Sequence, residues 1–196
     1  MNSRITNTVI AGLVIMLLWL LLLWDPQGDD AQLSPTAAPP GGDFSLHAAR
    51  GPLSLKDFRG KVIALYFGYT FCPDICPTSL SLLSASLNTL SPQELQQVQA
   101  IFVSVDPERD TLEQLRTYTG FFHDSIIGAT GSREEIDDVV KKYGAGYRIV
   151  KTESSANYSV DHSSYTYIID KRGRLRYSLV HGASPDEVTR RIRSLL

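Results

Sequence analysis

Residues 62–90 read VIALYFGYTFCPDICPTSLSLLSASLNTL, and the change of period within them decides the fold. Val62–Gly68 is a short apolar run suited to a buried strand. After Cys76, Pro77 suits the first helical position, where a missing N–H costs nothing. Leu80, Leu83, Leu87 and Leu90 then recur at steps of three and four with serines between them, which marks an apolar stripe on one helix. Both cysteines lie where the strand gives way to the helix.

The alternation continues in both directions. Ser91-Pro92-Gln93-Glu94 has the capping-box order and opens a short second turn. Ala100–Val105 reads as another buried strand, ended by Pro107, and Asp110 and Glu113 start a helix carrying Leu112, Leu115 and Tyr118. Ile126–Ala129 is a short strand. Ser132 through Glu135 leads a helix with Ile136, Val139, Val140 and Tyr143, which stops at Gly144. Tyr165–Ile169 and Leu175–Val180 form strands joined through Asp170-Lys171-Arg172-Gly173, and Ser184-Pro185-Asp186-Glu187 opens the last helix. Toward the N-terminus, Phe44–Leu46 and Leu53–Leu55 flank Arg50-Gly51-Pro52 and predict a small leading hairpin. This order predicts one α/β domain over residues 44–196, with helices on the faces of a sheet. A parallel core ending in a hairpin and a helix resembles the thioredoxin fold.

Ahead of that domain, residues 9–24 (VIAGLVIMLLWLLLLW) carry no charge and no strong breaker. As a helix they rise roughly 24 Å, and Ile5–Thr8 extend that toward the hydrocarbon thickness of a bilayer. A cleaved signal wants small residues closing the run, whereas Leu22, Leu23 and Trp24 close this one. Arg4 before the run and Asp25, Asp29 and Asp30 after it predict a cytoplasmic N-terminus and an exported domain. Residues 1–24 are thus expected to be a cytoplasmic tip and transmembrane anchor. Residues 25–43 (DPQGDDAQLSPTAAPPGGD) are too rich in Pro and Gly to bury apolar surface, and read as a flexible linker.

The formal net charge of −2 gives no electrostatic footprint for nucleic acid. Arg190, Arg191 and Arg193 most simply complement the C-terminus of a last helix. Two cysteines cannot make a disulfide framework, so the core must hold the fold and the pair is free for chemistry.

That pair, Cys72 and Cys76, lies beyond the carboxyl end of a strand, where open α/β sheets bind ligands. The unpaired N–H groups of a helix start stabilise thiolate, the form that binds metal or attacks a disulfide. Pro73 biases Cys72 away from helical geometry, so a loop-to-helix turn brings the sulfurs together. Two thiolates favour Cu(I), with zinc as a competitor. Thiol redox chemistry and an inert disulfide are the other readings, although bridging so short a loop adds little stability. Of His47, His123, His162 and His181, only His162 lies just before the Tyr165–Ile169 strand. If that strand runs antiparallel to Val62–Gly68, His162 faces the cysteines.

Three motifs now stand in order: Gly60-Lys61…Tyr66-Phe67-Gly68-Tyr69-Thr70…Cys72-Pro73-Asp74-Ile75-Cys76-Pro77; Val103-Ser104-Val105-Asp106-Pro107-Glu108-Arg109-Asp110-Thr111; and Asp161-His162-Ser163 followed by Tyr167-Ile168-Ile169-Asp170. Together they resemble the Sco/SenC copper proteins over about residues 44–195. The resemblance implies a thioredoxin-like fold and copper, as Cu(I) or Cu(II), bound by two cysteines and one histidine. Those positions here are Cys72, Cys76 and His162. It further implies delivery of copper to the binuclear centre of cytochrome c oxidase subunit II, or reduction of that acceptor's cysteines. Other periplasmic copper carriers or thiol reductants would be partners, and a sensor role is a third reading. No Arg- and Ser-rich presequence precedes the span, so the expected setting is a bacterial inner membrane with the domain periplasmic. Asp106 and Arg109 are expected to fix their loop by hydrogen bonds and charge pairing, Asp161 to orient His162 or cap a turn, and Tyr69 and Phe71 to cover the site.

Overall fold

The computed structural model describes residues 39–151 and 158–196, together with residues 12, 13, 16, 17 and 19, which are helical. The chain divides into two compact units, Met1–Asp30 and Ala31–Leu196. Most of the Val9–Trp24 run and residues 25–38 of the expected linker lie outside the described residues. Among the described residues, no helix is long and apolar enough to cross a membrane.

The second unit is built on a seven-stranded sheet in the order β2-β1-β5-β4-β3-β8-β9. Its strands are β1 (Ser45–Ala48), β2 (Gly51–Ser54), β3 (Val62–Gly68), β4 (Val98–Ser104), β5 (Ile126–Thr130), β8 (Thr166–Ile169) and β9 (Leu175–Leu179). β3, β4 and β5 run parallel, and β8 lies antiparallel to β3 with Tyr66 opposite Thr166. This is the predicted mixed α/β, thioredoxin-like arrangement. Every residue of β3 is buried, because both faces of the sheet are covered. Ile63, Leu65 and Phe67 enter one core with Ile136 and Val139. Val62, Ala64 and Tyr66 enter the other with Leu80, Leu83, Leu87 and Ile192.

Five helices cover the sheet: α1 (Ile75–Asn88), α2 (Pro92–Leu95), α3 (Leu112–Phe122), α4 (Arg133–Lys142) and α5 (Pro185–Arg193). Leu80, Leu83 and Leu87 of α1 are buried as predicted, each side chain contributing about 1.5–3 kcal/mol, while Leu90, also buried, lies beyond the helix end at Asn88. α1 begins at Ile75, two residues before the expected start, and Pro77 stands third. Proline is tolerated there because the first four helical N–H groups lack intrahelical acceptors anyway. Ser91, Ser132 and Thr111 each cap a helix through a reciprocal box with the residue three positions on. Thr111 rather than Asp110 therefore starts α3, which leaves the Asp110 carboxylate free for other bonds.

Sequence reasoning missed one element. β6 (Tyr147–Lys151) and β7 (Tyr158–His162) form a separate antiparallel pair. Val160 is its one buried residue, so no apolar run announced it. His162 consequently ends a strand instead of lying in a loop.

Candidate metal centre

β3 delivers the chain to the site and α1 receives it. Gly68 ends β3, and a Cβ built there would lie 2.6 Å from Cys76 Sγ and 2.8 Å from the Phe102 ring. Only a glycine lets the first turn of α1 come so close. Cys76 is thereby fully buried, while Cys72, in the preceding loop, is half-buried; both are free thiols. The Cys76 backbone N–H points at Cys72 Sγ, 3.5 Å away, which is the helix-start contribution expected from the sequence.

The pair is electrostatically asymmetric. The Cys72 thiol is drawn down to about 3, chiefly because the Cys76 thiol donates its hydrogen to it. Burial opposes, while a hydrogen bond from His162 and the backbone N–H groups of Cys76 and Asp74 assist. Cys76 moves up for the complementary reason, reinforced by burial and by the negative charge on Cys72. The two shifts run in opposite directions and favour Cys72 as the thiolate of the pair.

His162 reaches the same point from β7. Its Nε2 lies 3.1 Å from Cys76 Sγ, and its Nδ1 lies 3.0 Å from the carbonyl oxygen of Ser163. A carbonyl can only accept, so Nδ1 carries a hydrogen there, and Nε2 is the ring atom turned toward the sulfurs. Tyr69 and Tyr66 meet the imidazole edge to face, at 5.8 Å and 6.2 Å between centroids, and fix its plane. Tyr69 is buried over the site as expected, whereas Phe71 is 54% exposed and lies outside it. Asp161 does not orient His162. Its carboxylate pairs with Arg148 at 2.7 Å on the outer face of β7, because neighbouring residues of a strand point to opposite sides. The Ser163 carbonyl takes that role.

The second motif braces both halves. Asp106, fully buried, accepts from Arg109 Nε at 2.5 Å and from the Tyr158 hydroxyl at 2.6 Å. Arg109 Nη1 donates to the Tyr158 carbonyl oxygen, and the guanidinium stacks 3.6 Å from the Tyr158 ring centroid and 5.0 Å from that of Phe71. One arginine therefore ties the strand bearing His162 to the loop bearing Cys72. Asp110, which sequence reasoning assigned to a helix start, accepts from Thr70 N–H at 2.9 Å, Thr70 Oγ1 at 2.5 Å and Ser104 Oγ at 2.5 Å. A carboxylate one place ahead of a complete Thr111–Gln114 box was the signal that it had another task.

Cys72 Sγ, Cys76 Sγ and His162 all lie within 4.8 Å of one another. For zinc, a borderline-soft ion, bonds to sulfur and imidazole nitrogen are about 2.3 Å and 2.0 Å, which sets donor separations near 4 Å. The three donors fit a single soft cation after a small adjustment, in which the Cys76–His162 pair, 3.1 Å apart, opens slightly, and the two sulfurs favour the softer Cu(I).

Fold and site together define a thioredoxin-like domain bearing a Cys2His soft-metal donor set. The family model described as SCO1/SenC matches residues 33–196, and the chain belongs to that family. The SCO2-like protein of Rickettsia prowazekii is 36% identical over 183 residues, covering 89% of each chain. Copper-bound ScoI from Bradyrhizobium japonicum superposes with a TM-score of 0.73 at 34% identity, covering 80% of this chain and 99% of its own. Apo Sco1 from Thermus thermophilus gives 0.76 at 34% identity, covering 88% and 100%.

Proposed function

We propose that the domain is a copper metallochaperone that holds one copper ion through Cys72 Sγ, Cys76 Sγ and His162 Nε2. The observation that carries this reading is the convergence of two thiols on an imidazole whose other nitrogen is already committed to Ser163. The similarity to copper-bound ScoI supports copper as the cargo. Family membership supports assembly of cytochrome c oxidase as the setting, with the binuclear centre of subunit II or a similar copper site as acceptor. Other periplasmic copper carriers or thiol reductants would load or reduce the domain. Residues 1–24 serve as a cytoplasmic tip and single-pass anchor in a bacterial inner membrane, 25–43 as a linker and 44–196 as the periplasmic copper domain. Leu13, Met16, Leu17 and Trp19, helical and each at least 60% exposed, support an apolar surrounding for that segment.

Titration with Cu(I) against a competing chelator tests the ligand set. One ion should bind, Cys72→Ser or Cys76→Ser should abolish tight uptake, and His162→Ala should weaken it at least about tenfold, a bond's worth of coordination. Unchanged affinity in His162→Ala would remove histidine from the set.

The asymmetry of the thiols favours a second reading, reduction of the acceptor's cysteines. Cys72 thiolate attacks an acceptor disulfide and releases one acceptor thiolate. Cys76, once deprotonated, attacks the mixed disulfide at Cys72 and releases the other. The acceptor gains two electrons, and the domain is left with a Cys72–Cys76 disulfide for an external reductant. Turnover of a disulfide substrate without copper would favour this role.

A further inference from the structure

Charge in the second unit is segregated along the strand direction. The cysteines and His162 lie beyond the carboxyl end of β3, about 20 Å from its start. At the start lie the turn before β3, the β8–β9 turn and the ends of α4 and α5. Their proximity is set by bonds: Gly60 N–H to Lys171 O at 2.9 Å, Lys171 Nζ to Gln97 Oε1 at 2.8 Å, and Arg193 Nε to Glu94 Oε1 at 2.8 Å. These segments are rich in Lys and Arg, whereas the opposite ends of α4 and α5 carry Glu134, Glu135, Asp186 and Glu187, with Arg133 there paired to Glu108.

Some of the cations are neutralised in place. Asp43 takes Arg59, Asp138 takes Lys142, Asp170 takes Arg174 and Arg176, and Glu94 takes Arg193. Among the described residues, no carboxylate pairs with Lys61, Lys141, Arg172 or Arg190. Asp57, which accepts from Ser54 N–H, and Asp124 lie outside those ion pairs, Lys56 shares Asp43, and Leu196 O accepts from Lys171 Nζ. Complementing helix dipoles accounts for Lys141 and Arg190. It does not account for Lys61 and Arg172, which sit in turns between strands.

The chain also enters the domain here. Gly41 N–H donates to Lys142 O at 2.9 Å, the Tyr143 hydroxyl donates to Gly42 O at 3.0 Å, and Lys142 Nζ donates to Asp43 O at 2.9 Å. Gly41 has φ +61, and a Cβ on it would lie 2.9 Å from Leu175 Cβ at the start of β9. The described residues of this unit therefore begin at this pole, with Pro39.

We propose that this basic pole, centred on Lys61, Lys141, Arg172 and Arg190, binds the anionic headgroups of the bilayer, so that Cys72, Cys76 and His162 face away from it. The inference rests on the anchor reading above, which keeps the pole near lipid. Headgroup attraction is worth about fivefold per cation at low salt and is lost within a Debye length.

The test places the full chain in nanodiscs of phosphatidylcholine alone or with phosphatidylglycerol, and follows amide hydrogen exchange. Anionic discs should slow exchange of residues 171–174 at least about fivefold, with residues 72–76 unaffected. High salt and the triple variant Lys61→Glu/Arg172→Glu/Arg190→Glu should each erase the difference, with unchanged Cu(I) binding showing that the variant is folded. An embedded chain indifferent to headgroup charge overturns this inference alone. A chain that stays in the aqueous fraction overturns the anchor and the inference with it. Protection by an acidic soluble protein but not by anionic discs assigns the pole to a protein partner instead.

Discussion

Gly68 has no side chain because none would fit between Cys76 and Phe102. Gly68→Ala must push the first turn of α1 away from the sheet, at a cost of about 1–3 kcal/mol typical of overpacking. Chelator competition should show Cu(I) affinity falling along with the melting temperature, and retained affinity would mean that the sulfur moves without consequence. Cys72 supports a pH prediction. An ordinary thiol loses thiolate tenfold for each unit below its pKa, but Cys72, drawn down to about 3, keeps its charge as pH falls from 8 to 5. Alkylation by iodoacetamide should be nearly flat over that range and confined to Cys72, because Cys76 shifts the opposite way and is buried. A tenfold drop per pH unit would show that the hydrogen bond from Cys76 is absent.

The brace between elements is Arg109. Arg109→Ala leaves the buried Asp106 carboxylate with Tyr158 as its remaining side-chain partner, and costs about 3 kcal/mol. β7 should loosen before the seven-stranded sheet does, read as faster amide exchange at residues 158–162 with β3 still protected. Uniform destabilisation would mean that the two sheets unfold as one. The legible and illegible parts of the sequence divide at this same scale. β3 and α1 could be read because burial on both faces writes an apolar run and a leucine stripe. β6 and β7 could not, since they pair with each other, bury Val160 alone and dock largely through single polar contacts, and such contacts leave no period. That Cys72, Cys76 and His162 would meet was legible through three separated motifs. The orientation of His162 was not, because a backbone carbonyl has no residue type and Ser163 looks no different from any loop serine. Asp106 and Arg109 pair as their spacing suggested, while Asp110 was hidden behind the capping box that begins one residue later.

At the scale of the whole molecule, a metal that binds the folded state alone stabilises it by mass action. Free Cu(I) at a hundredfold excess over its dissociation constant should raise the melting temperature by about 5–10 °C. The shift should vanish in Cys76→Ser and on adding a strong Cu(I) chelator, and a shift that survives the substitution would place the ion elsewhere. The two thiols are carried by the β3–α1 junction and the imidazole by a small sheet that Arg109 holds in place. A grip whose fingers belong to different hands can be relaxed one finger at a time. On the proposed copper reading, an incoming donor would need to displace only the nitrogen at first while the sulfurs keep their hold, so such a transfer would never require a bare ion.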